Sequence, residues 1–205
     1  MYKKLIIVFE GIEGSGKSFH INQVSKYFIK NKIDFIKIRE PGGSNNSEKI
    51  RKLILDNKSN FNKNTDLLLY MAARSENIEK IIKKNHKKKI ILIDRFIDST
   101  IAYQHYGMRV DIKFINMINR YLLDGIKVDF TFLNLVNPNN LKKRLSKRKN
   151  LNRYDSFKIS FYKKVQNGFV NIAKRNKSKY MKVDSNKSID INKQKILSKI
   201  IQIIK

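Results

Sequence analysis

Gly11-Ile12-Glu13-Gly14-Ser15-Gly16-Lys17-Ser18 matches the pattern G-x-x-x-x-G-K-[ST], and its flanks restrict the fold that can carry it. The continuous apolar run Leu5–Phe9 precedes it, as expected of a strand buried on both faces. A helical stretch from about Lys17 to Lys30 follows. A strand feeding a glycine-rich turn and then a helix aims backbone N–H groups and the positive helix end at an anion. Lys17 can reach the β- and γ-phosphates of a nucleoside triphosphate there, and Ser18 can ligate Mg²⁺. Gly11, Ile12, Glu13, Gly14, Ser15, Gly16, Lys17 and Ser18 are therefore the expected triphosphate site.

The rest of the chain continues the alternation. Strands are expected at Phe35–Ile38, Ile90–Ile93, Phe130–Val136 and Tyr180–Val183. Helices are expected at Ser47–Leu55, Thr65–Lys84, Ser99–Tyr106, Ile112–Leu123, Phe157–Lys174 and Ile191–Ile204. A further helix starts at Asn137-Pro138, with asparagine as cap and proline at the first position. This predicts an α/β fold: a five-stranded parallel sheet flanked by helices on both faces, of the P-loop type, interrupted by a polar, basic stretch at about 147–155. No linker interrupts it, so residues 1–205 read as one domain.

The charge needs an account, because 45 Lys+Arg against 17 Asp+Glu leave +28. A nucleic-acid-binding ATPase would carry such an excess. The lysines are spread along the whole chain without a basic recognition motif, which fits a lysine-rich composition on solvated faces, and no specific nucleic-acid partner is expected. Cysteine is absent, which removes disulfides and thiolate metal sites. Lys3-Lys4 and the following apolar run are too short for a secretory signal, and no run approaches the ~20 residues of a membrane span. A cytoplasmic location is the expectation. Asn31-Lys32-Ile33-Asp34 spells the guanine-specificity pattern of GTPases but lies directly after the first helix, where such a protein does not place it.

Further landmarks follow the loop in order: Arg39-Glu40-Pro41-Gly42-Gly43, Leu68–Arg74, Asp94-Arg95-Phe96 through Gln104, and Arg148 through Arg153. Together they resemble the bacterial thymidylate kinases, a branch of the nucleoside monophosphate kinases, over nearly the whole chain. The resemblance implies transfer of the γ-phosphate of ATP to dTMP with Mg²⁺, and a homodimer. It implies that Arg95 and Arg39 meet the acceptor phosphate and that Asp94 orients the metal or its waters. It implies that Tyr70, usually Phe in the family, stacks on thymine while Arg74, one turn on, donates to a base oxygen. It implies that Ser99, Thr100, Tyr103 and Gln104 complete the nucleoside pocket, with Tyr103 against the deoxyribose, and that Glu13 faces the 3′-hydroxyl. Glu40-Pro41 is a candidate cis bond.

Family members supply a transfer arginine from the P-loop or from a short mobile lid, and the resemblance implies such a lid here at about 147–155. Gly14 occupies the loop position here, so Arg153, supported by Arg148, is the expected catalytic finger beside Lys17 and Arg95. Relatives commonly carry Asp at the Asn152 position and Glu at the Asp155 position. Two alternatives stay open: a kinase for another nucleoside or nucleoside monophosphate, and the nucleic-acid-binding P-loop ATPase.

Overall fold

The computed structural model describes residues 2–149 and 151–205. Asn150, inside the expected lid, lies outside them. The strands are β1 Ile6–Glu10, β2 Phe35–Arg39, β3 Ile90–Asp94, β4 Phe130–Leu135 and β5 Tyr180–Asp184. They pair in the order β2-β3-β1-β4-β5, every pair parallel. The helices are α1 Lys17–Lys30, α2 Asn45–Leu55, α3 Lys63–Asn77, α4 Lys83–Asn85, α5 Ile97–Thr100, α6 Ile112–Leu123, α7 Pro138–Leu145, α8 Ile159–Arg175 and α9 Ile189–Ile204.

Side chains alternate across the sheet with period two. In β1, Ile7 and Phe9 join α1 and α9 through Ile21, Val24, Phe28, Ile196 and Ile200. Ile6 and Val8 face the opposite layer with Ile91, Ile93, Ile78 and Ile82. That two-sided burial is why β1 and β3 read as unbroken apolar runs. The edge strands β2 and β5 are only partly buried.

Helix starts follow the local chemistry. The Ser44 side chain accepts from Ser47 N and starts α2 earlier than its apolar residues suggest. Asn62 accepts from Asn64 N and Thr65 N and starts α3 at Lys63. Asn137 caps α7, with Pro138 first, as expected.

Two expected helices change character. The segment expected as one helix to Lys84 widens to π geometry at Ile78–Ile82 before α4. The segment expected at Ser99–Tyr106 is α5 followed by a π-helical turn, Ile101–Gly107. A one-turn 3₁₀ helix, Arg153–Ser156, precedes α8. Asn152 and Asp155 close it with a capping box, so the amide at 152 and the shorter acid at 155 satisfy the backbone at the start of this turn.

Strand order reverses around β1, whose neighbours β3 and β4 lead to opposite edges. Ligands in such sheets sit beyond the carboxyl ends of the strands at that point. The loop after β1 and the end of β3 both open there. The Asn31–Asp34 tetrapeptide does not: Asn31 terminates α1, and Asp34 pairs with Lys89 at 3.3 Å.

Candidate active site

The site is built first from the β1–α1 loop. Gly11 has φ +137°, and a Cβ there would stand 2.3 Å from the Asn134 carbonyl oxygen, so only glycine fits. The Ile12 side chain is buried in the core and anchors the loop rather than lining the opening. Glu13, Gly14, Ser15, Gly16, Lys17 and Ser18 line a cavity of about 510 Å³. Lys17 Nζ donates to the Gly11 and Ile12 carbonyls, 2.8 Å each. Burial, with Arg95 nearby, pulls its ammonium down to about 7. Ser18 Oγ donates to Asp94 Oδ2 at 3.0 Å, which brings two hard oxygen donors together at the foot of the loop.

The same cavity is lined by Arg39, Tyr70, Arg74, Asp94, Arg95, Ser99, Thr100, Tyr103 and Gln104. Arg95, at the end of β3 in a left-handed conformation with φ 67°, donates to Gly11 O and Glu13 Oε1, 2.8 Å each. Its guanidinium also lies over the Tyr103 ring at 5.2 Å. Tyr103 OH donates to Glu13 Oε2. Burial works against the Glu13 charge, but Arg95 and Lys17 outweigh it and hold this carboxyl below its ordinary range. Arg39 forms an exposed pair with Glu48 at 3.0 Å.

Arg74 sits at the floor, 1% exposed, and is already engaged. It donates to Glu40 Oε2 at 2.8 Å, Asn119 Oδ1 at 2.7 Å and Thr100 Oγ1 at 2.9 Å. Glu40-Pro41 is cis. Glu10, at the end of β1, accepts from Phe96 N and Ser99 Oγ; burial and the Asp98 carboxylate push it up to about 7.

The lid departs from expectation. Arg148 lines the cavity while paired to Asp155. Arg153 does not line it. A stronger partner than open solvent, the buried carboxylate of Asp66, holds its guanidinium, and Ile54 O accepts from Nε at 3.1 Å. The expected finger is therefore drawn away from the phosphate loop in this arrangement.

Sequence reasoning passed over Arg144. It lines the cavity and donates to Gly14 O at 2.8 Å and Ser185 O at 2.7 Å. Its Cβ stands 3.5 Å from where a Gly14 Cβ would be, so Arg144 fills the space beside the glycine. Its signal was the four-residue spacing to Arg148, which puts both on one face of a continued helix. Tyr154 and Asp66 were also missed. Tyr154 lines the cavity, and its ring meets Tyr70 and Tyr103 edge-on at 6.0 and 5.9 Å.

The chain matches the family model described as thymidylate kinase over residues 9–196. It is 37% identical to a thymidylate kinase of Clostridium novyi (strain NT), over 93% of this chain and 95% of that protein. It is 36% identical to the one of Acholeplasma laidlawii (strain PG-8A), over 97% and 99%. The crystal structure of thymidylate kinase from Ehrlichia chaffeensis superimposes with a TM-score of 0.77 at 32% identity, covering 97% of this chain and 98% of that one.

Proposed function

The chain belongs to the thymidylate kinase family, and from that membership we propose how its residues divide the work of moving the γ-phosphate of ATP to dTMP, giving dTDP and ADP. The observation that supports this division is one cavity lined both by a phosphate loop and by Tyr70, Arg95 and Tyr103, the last two hydrogen-bonded to the loop itself.

The acceptor already carries an anionic phosphate oxygen, so no general base is needed. The site has to supply orientation and positive charge. Lys17 turns from the loop carbonyls to the β- and γ-phosphates. Arg95 offers a planar fork to the acceptor phosphate, with Arg39 beside it. Tyr70 stacks on the base, and Arg74 with Thr100 and Gln104 reads its edge. Tyr103 and Glu13 hold the sugar. Arg144 and Arg148 bring cation density to the donor phosphates, and Arg153 joins them once released from Asp66.

Ser18 and Asp94 would hold Mg²⁺, a hard cation suited to one or two protein oxygens, and its charge would offset that of the donor phosphates. We further assign the chain one domain, a cytoplasmic setting, a role in dTTP supply and a homodimeric state. Among the described residues, no helix is long and apolar enough to cross a membrane.

The test is ADP release measured over dTMP, dUMP, dGMP, AMP and thymidine. A clear preference for dTMP is expected. Equal rates across the panel would overturn the substrate assignment. ATP hydrolysis stimulated by nucleic acid, without transfer to dTMP, would favour the nucleic-acid-dependent reading instead.

A further inference from the structure

We propose that Asp66 is a positioning residue that keeps Arg153 off the donor phosphates until the acceptor nucleoside is bound. The inference rests on the dTMP kinase reading and adds a control element to it.

Asp66 lies in the first turn of α3 and is 1% exposed. Both of its oxygens are used. Oδ1 accepts from Arg153 Nη2. Oδ2 accepts from Tyr154 OH at 2.5 Å and from Gln104 Nε2 at 3.2 Å. These donors come from two places, the 3₁₀ turn Arg153–Ser156 and the π-helical turn Ile101–Gly107. Tyr154 and Gln104 line the cavity and Arg153 does not. One buried carboxylate thus joins a cation outside the cavity to two side chains inside it.

Arg153 is docked rather than loose. Besides Asp66 and the Ile54 carbonyl, its guanidinium lies over the rings of Phe61 and Tyr154, at 5.5 and 5.1 Å. Removing it leaves a buried carboxylate short of a cation, which is costly. Something must therefore favour the undocked state. The acceptor has two handles. Its base would stack on Tyr70, whose ring Tyr154 meets edge-on, and Tyr154 is the next residue to Arg153. A displaced Tyr154 ring moves the docked arginine's own turn.

The second handle is Gln104. The Gln104 amide turns its NH₂ toward Asp66 Oδ2, which leaves its carbonyl oxygen facing away. Gln104 Oε1 is left buried with no hydrogen-bond partner among the described residues. A buried acceptor in that state gains from any donor brought near it, and a thymine ring carries one at N3. Contact there pulls on the amide that Asp66 holds. By linkage, an acceptor that weakens the Asp66 contacts promotes release of Arg153, and a released Arg153 favours the acceptor.

Such a latch limits waste. With Arg153 free and no acceptor present, water would attack the γ-phosphorus. The bond from that phosphorus to the β–γ bridging oxygen would break, giving ADP and inorganic phosphate.

The experiment measures ADP release by the full chain with and without dTMP, for wild type, Asp66→Asn, Asp66→Glu and Tyr154→Phe. The ratio of acceptor-free hydrolysis to transfer is expected to rise about five-fold or more in Asp66→Asn, the low end of common coupling strengths. Asp66→Glu should keep the ratio near wild type. Tyr154→Phe, which leaves the ion pair in place, should raise it less and raise KM for dTMP. In Asp66→Asn/Arg153→Ala the excess hydrolysis should vanish. An unchanged ratio in folded Asp66→Asn, or equal loss of both rates, overturns the proposal. If Asp66→Asn does not fold, an unchanged ratio and KM in Tyr154→Phe overturns it. A wild-type protein that does not use dTMP would instead defeat the substrate reading, so the two failures are separable.

Discussion

Lys17 folds its ammonium back onto the Gly11 and Ile12 carbonyls, and Glu10 keeps its carboxyl in the adjacent interior. Burial pulls the first down to about 7 from 10.5 and pushes the second up to about 7 from 4.5. Their effects on stability run in opposite directions along the pH axis. Folded Glu10 retains a proton that the unfolded chain gives up, so its stabilisation is present below 4.5 and lost as pH rises through about 7. Folded Lys17 gives up a proton that the unfolded chain retains, so its contribution is present above 10.5 and lost as pH falls through about 7. The nucleotide-free protein should therefore show a minimum in Tm near neutrality. Lys17→Met should abolish the alkaline rise and leave the acid limb. A thermal scan across pH checks this, and an alkaline rise that survives in Lys17→Met would contradict it. Gly11→Ala is a harsher change, because its Cβ would meet backbone 2.3 Å away at φ +137°. Strain of about 1–3 kcal/mol at such a position should lower Tm and abolish measurable ATP binding by calorimetry.

Arg144 shows what one helix contributes to a loop it does not belong to. From α7 it ties the β1–α1 loop at Gly14 to the loop after β5 at Ser185. Hydrogen bonds from a charged donor are worth about 1.5–3 kcal/mol, so Arg144→Ala should raise KM for ATP about tenfold or more. The same steady-state assay should show a smaller change in KM for dTMP; equal changes would argue for general loss of structure. Arg153→Ala should lower kcat by roughly 10³–10⁵, the range of arginine fingers, with dTMP affinity near normal. This element scale is also where the sequence was most and least readable. The runs Leu5–Phe9 and Ile90–Ile93 announced β1 and β3 because a stretch buried on both faces is apolar at every position until its terminal acid, Glu10 or Asp94. The motif residues after them announced which side chains meet at the sheet's carboxyl edge. The π turn at Ile101–Gly107 left no such mark: it keeps helical composition and changes only the angular spacing at which Tyr103 and Gln104 emerge. The Asp66–Arg153 pair was equally silent. It joins residues 87 apart in sequence, and an acid at the start of a helix reads as an ordinary complement to the helix dipole.

At the scale of the whole molecule, +28 of net charge makes two copies of this chain repel, so any dimer needs a face that is apolar and poor in lysine. α3 and α6 pack together and provide one. Leu68 on α3 is 50% exposed; Met117 and Tyr121, one turn apart on α6, are 59% and 83% exposed. Lys113 and Arg120 are the cations of α6, a small share for this chain. In a two-fold dimer the same patch appears on both partners, so each substitution acts twice across the interface. Light scattering should return twice the 24.2 kDa chain mass. Dilution at low salt should favour the monomer, and moderate salt should restore the dimer by screening the repulsion while leaving the apolar contact intact. Met117→Lys with Tyr121→Lys places four new cations in the joint face and should give monomer at both salt levels, with Tm of the isolated chain little changed because neither side chain is buried. A wild-type chain of monomeric mass at every salt level, or a double variant that still dimerises, would remove this face from the assembly.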